Sequence, residues 1–291
     1  MAKRKICRSL AVVLAFGMCV TALGGCGSEK SASGKTEIEV VSYKPEAVAA
    51  FEEIEKRFIL KTRFIREDYP DIIAIGGDIN YSNFLDADLF EDISDLEEVS
   101  TVKSAYLEMD KELEFIPKDG TYALPYVANA AGILYNKDLF AENGWEAPTT
   151  WEEFTSLCDK IKDSGTLPLY LGFKDTWTCL APWNALAVGL TDSDTCNQVN
   201  MGNTTFEQTY GTVAEKMRAL LDYAESNPYA YSYNDACTAF ARGESAMYPI
   251  GSYAIPQIKS VNPDMNIGSF TFPANENEAD NVLNSGIKIS V

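Results

Sequence analysis

A recurring switch of hydrophobic period, from two residues to about 3.6 and back, constrains this chain more than any other feature. From Ile38 to Tyr43 the residues are β-prone; after Pro45, Val48, Phe51, Ile54 and Phe58 recur at helical spacing; Asp71 to Ile75 is apolar again and ends at Gly76-Gly77-Asp78. Strand, amphipathic helix and strand predict a βαβ unit with a turn at the carboxyl end of a parallel strand. Ligands of open α/β sheets gather at that edge, which draws attention to Asp78.

The alternation continues downstream. Thr150 stands three residues before Glu153, the spacing of a capping box, and Phe154, Leu157, Cys158 and Ile161 give the following helix one buried stripe, with Gly165 after its end. Leu167 to Leu171 reads as a strand, and Phe206 to Glu225 as a long helix carrying Val213, Met217, Leu220 and Leu221 on one side. Asp235 to Arg242 predicts a short helix stopped by Gly243, then a strand through Ala246-Met247-Tyr248, a turn at Gly251-Ser252-Tyr253 and a last strand in Asn266 to Phe272. No solenoid period is present, so the class is α/β.

At the N-terminus, Lys3, Arg4, Lys5 and Arg8 precede an apolar run from Leu10 to Leu23, the layout of an export signal and too short to span a bilayer comfortably. The string Leu23-Gly24-Gly25-Cys26 resembles a bacterial lipobox, which implies a signal peptide over 1–25 and lipidation of Cys26. Two acyl chains, at roughly 0.8 kcal/mol per buried methylene, hold a domain on a membrane where one does not. Residues 26–35 are then a lipidated flexible tether of small polar residues. Loss of the four basic signal residues takes the formal charge from −19 to −23, which argues against nucleic-acid partners.

Several chemistries are excluded or left without support. The chain has no histidine, so histidine triads, histidine metal sites and imidazole acid–base catalysis are absent. A carboxylate pair needs none, which keeps an exported glycoside hydrolase as the enzyme alternative. The acidic stretch from Asp86 to Glu98 lacks the glycine and ligand spacing of a calcium loop, and Cys158, Cys179, Cys196 and Cys237 are spaced too irregularly to imply a pairing or a zinc site. No catalytic residue, metal or cofactor is expected.

Several segments, in their order, carry a family resemblance: Pro70-Asp71-Ile72-Ile73; Tyr122-Ala123-Leu124-Pro125 leading to Ile133-Leu134-Tyr135-Asn136-Lys137-Asp138-Leu139-Phe140; Pro148-Thr149-Thr150-Trp151-Glu152-Glu153-Phe154; and Phe240-Ala241-Arg242-Gly243-Glu244-Ser245-Ala246-Met247 ending in Gly251-Ser252-Tyr253. Together they resemble the extracellular solute-binding proteins of family 1, the group that includes maltose-binding protein. The resemblance implies a periplasmic-binding-protein-like α/β fold of two lobes and a hinge: an N-lobe over 36–128, a C-lobe over 129–265 and a return crossing over 266–291. It also implies a monomer at the outer face of the cytoplasmic membrane that closes on a mono- or oligosaccharide and delivers it to ABC permease subunits. Two departures stand out. Phe58 runs straight into Ile59 and Leu60 where relatives have a loop and a strand, and the segment ending at Val291 continues in relatives, so one N-lobe strand and a C-terminal part are expected to be missing.

Sugar sites place aromatic faces against the C–H faces of the ring and amides or carboxylates around its hydroxyl edge. On that chemistry and on the family's pattern, the candidate ligand-binding residues are Asp78, Tyr81, Asn129, Trp177, Trp183 and Tyr253. Each has a structural alternative: Asp78 as a helix N-cap, the indoles as core, Tyr253 as the cover of a sheet end and Asn129 as a hinge amide. A surface adhesion lipoprotein, which needs no enclosed cleft, is the remaining alternative.

Overall fold

The structure is a computed structural model describing residues 40–42 and 69–291, all within one compact unit, Val40–Val291. The export signal, Cys26, the tether and the helix expected from Val48 to Phe58 lie outside the described residues. Strand β1 (Val40–Ser42) pairs in parallel with β2 (Ile72–Gly76), Val41 opposite Ile73, the pairing that a βαβ unit requires. Helix α1 (Ile79–Asp86) follows, capped by Asp78, and α2 (Ser104–Glu112) leads to β3 (Leu124–Ala131).

The chain then passes through Gly132 into β4 (Ile133–Asn136), where a Cβ on that glycine would lie 2.5 Å from the Phe270 carbonyl oxygen. Helices α3 (Lys137–Asn143) and α4 (Trp151–Asp163) precede β5 (Leu167–Leu169). Next come α5 (Leu180–Leu190), α6 (Thr195–Asn200), α7 (Phe206–Ala219), α8 (Tyr233–Ala241) and β6 (Ser245–Tyr248). Helix α9 (Ile255–Val261) and β7 (Ile267–Phe270) complete this part, and β8 (Asn284–Ser290) ends the chain.

These strands make two four-stranded sheets, ordered β1-β2-β8-β3 and β5-β6-β4-β7. Strand β8 runs antiparallel between β2 and β3, with Gly76 opposite Lys288 and Asn129 opposite Gly286. The register of β3 slips between Pro125 and Val127, and Pro125 is tolerated where β3 lies at the edge of the sheet among the described residues. In the second sheet β6 is buried at all four positions, as expected of a strand covered on both faces. Neighbouring Ile133 and Leu134 point to opposite faces and join different apolar clusters, one with Phe154, Leu186 and Phe272, the other with Phe240, Tyr248 and Ile258. A third cluster, Ile73, Ile75, Phe84, Leu85, Ile287 and Ile289, backs the first sheet.

The local signals that fall on described residues hold with adjustments, among them the strand expected over Leu167 to Leu171, which stops at Leu169. Thr150 caps α4 through the Glu153 N–H, but the Glu153 carboxylate reaches back to Thr149 N at 2.8 Å rather than to the cap residue itself. The helix expected from Phe206 to Glu225 ends at Ala219 and tightens into a 3-10 turn, Leu220–Tyr223, and Glu225 beyond it makes a buried contact with the Leu171 amide. Among the described residues no disulfide forms, and Cys158 and Cys237 are buried in different clusters.

One buried charge disobeys the pattern. Asp110 on α2 is 4% exposed, and among the described residues neither carboxylate oxygen has a hydrogen-bond partner. It borders a cavity of about 190 Å³ shared with Tyr81, Glu114 and Tyr122. Burial, then the nearby Glu114, push its carboxyl up to about 7, against the opposing pull of Lys111. An unfolded aspartate titrates near pH 4 (about 3.9), so the folded state holds this proton more tightly. The contribution to stability is therefore full below about pH 4 and is lost as pH rises through about 7. Asp110→Asn should raise the melting temperature by an amount that grows between pH 5 and pH 8; a difference that is flat with pH in thermal unfolding would show an ordinary carboxylate.

Candidate functional site

The two sheets meet where β3 ends. Ala131 bridges Gly251, Gly132 N–H donates to the Ile250 carbonyl at 3.5 Å, and Ala130 N–H donates to Ser252 Oγ at 3.2 Å. Asn129 is half-buried one residue earlier, its carbonyl accepting from Ser285 Oγ at 3.2 Å. The Gly251 turn carries Tyr253, half-buried, whose ring folds back over the glycine: a Cβ there would lie 2.2 Å from Tyr253 Cε1. Gly251 is thus what lets this ring lie down beside the crossing strand.

A second ring faces the first. Trp177 sits in the 3-10 turn Thr176–Cys179 ahead of α5 and is 45% exposed. Its ring centroid lies 5.0 Å from that of Tyr233 and 6.1 Å from that of Tyr253, both tilted by about 50°. The loop before it is fixed by buried polar contacts. Glu225, 8% exposed, accepts from Leu171 N and Gly172 N, each at 2.9 Å. Gly172 takes φ +61°, and a Cβ on it would come within 2.6 Å of Ala236. Thr178 Oγ1 donates to the Gly172 and Asp175 carbonyls at 3.0 and 2.7 Å, and Asp175 Oδ2 accepts from Tyr233 N at 2.8 Å.

Tyr233 did not emerge from the sequence reading. It begins α8 a few residues after the 3-10 turn Pro228–Ala230, in a segment that carries Tyr229, Tyr231 and Tyr233. Lys174 N donates to the Tyr231 carbonyl and Phe173 N to the Pro228 carbonyl, so this stretch is laced to the Trp177 loop. The clustering of three tyrosines within five residues is the signal that the sequence offers.

The other candidates divide. Asp78 is exposed at the carboxyl end of β2, and its Oδ1 accepts from Asn80 N at 2.8 Å and Asn80 Nδ2 at 3.0 Å, so it caps α1. The antiparallel register of β8 with β2 and β3 puts the turn after β2 and Asn129 at the same end of the first sheet. Tyr81 must be corrected: it is 1% exposed, stacked on Phe90 at 5.8 Å within the apolar cluster behind the sheet, and burial followed by Asp110 and Glu114 pushes its hydroxyl pKa up. Trp183 is also displaced from expectation. Its ring lies parallel to Tyr210 at 6.0 Å and lines a separate groove of about 540 Å³ with Phe206 and Glu207, on the α7 side of α5. Trp177 and Tyr253 thus touch, Asn129 joins them through the backbone of the crossing, Asp78 shares their sheet end, and Tyr81 and Trp183 lie elsewhere. Among the described residues no group of three or more aspartate, glutamate or cysteine side chains is placed to hold a metal, and no helix is long and apolar enough to cross a membrane.

Two sheets joined by a crossing strand, with partly exposed aromatic rings gathered at the crossing, are an architecture suited to holding a ligand. The chain belongs to the bacterial extracellular solute-binding protein family, whose profile matches residues 35–290. It is 28% identical to the multiple sugar-binding protein of Streptococcus mutans over 88% of this chain and 67% of that one. Among solved structures it is similar to RafE in complex with raffinose, with TM-score 0.74, 26% identity and coverage of 88% of this chain and 73% of the other. A chitin oligosaccharide binding protein shares the fold at TM-score 0.67 and 22% identity, over 84% of this chain and 61% of that one. The chain thus spans about three fifths to three quarters of these relatives' length. Membership makes it a binding protein and sets the hydrolase alternative aside.

Gly251→Ala should push the Tyr253 ring off the crossing strand while leaving the sheets intact. Loss of the near-ultraviolet circular dichroism from this ring cluster, with far-ultraviolet signal unchanged, is the expected outcome; an unaltered near-ultraviolet spectrum contradicts the packing described.

Proposed function

We propose that the chain binds a mono- or oligosaccharide outside the cytoplasmic membrane and serves an ABC importer, with the parts built on the two sheets acting as lobes that close on the sugar. The observation that carries this is Trp177, an indole 45% exposed yet fixed against Tyr233 and Tyr253 at the junction of the sheets. Leaving a large apolar ring half in water is costly unless something covers it, and a pyranose C–H face is a natural cover. Asn129 and Asp78, at one sheet end, supply amide and carboxylate groups for hydroxyls. Similarity to RafE, solved with raffinose, and to a multiple sugar-binding protein favours this ligand class. A glycerol phosphate is the competing cargo, since the sn-glycerol-3-phosphate-binding protein of Agrobacterium fabrum is 28% identical over 53% of this chain and 37% of that one.

Calorimetry with raffinose, maltotriose, diacetylchitobiose and sn-glycerol-3-phosphate tests the assignment. At least one sugar should bind at micromolar concentration or tighter. Trp177→Ala should weaken it tenfold or more, in line with about 1–3 kcal/mol for a buried aromatic anchor, while Trp183→Ala, on the other side of α5, should change it less than twofold. Heat from the phosphate alone, or a Trp177→Ala variant with unchanged affinity, overturns the reading.

Anchoring is a separate element of the proposal and rests on the lipobox resemblance at Leu23-Gly24-Gly25-Cys26. Cys26→Ser should move the protein from the membrane fraction to the soluble fraction of an expressing bacterium. Retention of the variant on membranes contradicts lipidation at that thiol.

A further inference from the structure

We infer that Glu225 is a positioning residue for the aromatic wall: by gripping the backbone of Leu171 and Gly172 it sets the loop that presents Trp177 to ligand. The inference rests on the sugar-binding reading above and adds to it a residue outside the junction that controls the site.

The geometry carries this step by step. Glu225 follows the 3-10 turn Leu220–Tyr223, and its two carboxylate oxygens accept separately, Oε2 from Leu171 N and Oε1 from Gly172 N, both at 2.9 Å. Such a charge-assisted pair of bonds defines a backbone direction where a single bond leaves it free to swing. It acts just past the last ladder contact, the Tyr170 N–H on the Met247 carbonyl at 3.2 Å, beyond the end of β5 at Leu169. The next residues relay the constraint. Gly172 turns with φ +61°, its carbonyl accepts from Thr178 Oγ1 beside Trp177, and Asp175 takes the Tyr233 N–H. Trp177 is thereby tied on both sides of its own turn, and its indole meets Tyr233 at 5.0 Å.

Burial makes the contact consequential. Glu225 is 8% exposed, and its carboxyl is held above the usual carboxylate range because desolvation outweighs the stabilising bonds from Gly172 and Leu171. A glutamate retained in so dry a position, with both oxygens spent on one loop, is doing a job that an apolar residue cannot: an apolar side chain would leave two inward-facing N–H groups unpaired. Glutamine cannot substitute either, because its amide nitrogen would face an N–H donor.

A double-mutant cycle on the full chain tests the inference. With raffinose as probe, or another sugar of the panel if that is the one bound, Glu225→Gln should weaken affinity about tenfold in the otherwise unaltered protein and less than twofold when Trp177 is already phenylalanine. The same tenfold loss in the Trp177→Phe background overturns the inference, as does unchanged affinity in the single variant. A readout without ligand separates this from the sugar assignment. The near-ultraviolet circular dichroism band removed by Trp177→Phe should also vanish in Glu225→Gln, with far-ultraviolet signal retained. If no sugar binds but that band is lost, the carbohydrate reading fails and the positioning role stands; if the band persists, the positioning role fails. Should Glu225→Gln not fold, Asp175→Ala breaks the next link of the same chain of contacts. It must abolish the Trp177 band, and a band that survives refutes the relay.

Discussion

Strand β8 is the constraint on which the rest depends. It lies between β2 and β3 and supplies both with antiparallel partners, so the first sheet cannot close until the chain has left, built the second sheet and come back. Buried N–H and C=O groups on β2 and β3 would otherwise be left unpaired, at about 1–3 kcal/mol for each lost partner. Two crossings between the sheets follow from this: one through Gly132, the other between β7 and β8. The junction of the sheets is consequently the place where loops from distant parts of the chain are forced together, and the aromatic wall stands there.

The wall is rigid for a polar reason. Its rings are large and partly wet, and apolar contact alone has no preferred direction. Direction comes from hydrogen bonds below the rings: Glu225 to the Leu171 and Gly172 amides, Thr178 to two carbonyls, Asp175 to Tyr233. The contrast with Asp110 is instructive. Both carboxylates are buried and both are pushed upward by desolvation, but Glu225 has two backbone donors and grips a loop, whereas Asp110 has no hydrogen-bond partner among the described residues and raises the free energy of the folded state as pH increases.

Much of the fold was legible because period and caps are local. Asp71 to Ile75, Thr150 with Glu153, and Gly243 after a short helix all fell within a residue or two of their elements. The site was legible only in part. Trp177 and Trp183 look alike in sequence, yet Trp177 lies in the 3-10 turn ahead of α5 and Trp183 within α5 itself, and one indole joins Tyr253 and the other Tyr210. Tyr81 stands beside a promising aspartate but on the stripe of α1 that faces the core. Tyr233 was not legible because it stands at the first turn of α8, and nothing local says that its ring meets Trp177, 56 residues earlier.

By itself, then, the sequence determined the α/β alternation, the lack of any histidine in the chain and the family's ordered segments, since each is written directly in its residues. Which rings face each other, which carboxylate is gripped and which is stranded, and which tryptophan stands at the junction were decided only by tertiary structure. Those outcomes depend on contacts between residues dozens to more than a hundred positions apart, such as Leu171 with Glu225 and Ala130 with Ser252, and no local pattern encodes a partner that far away.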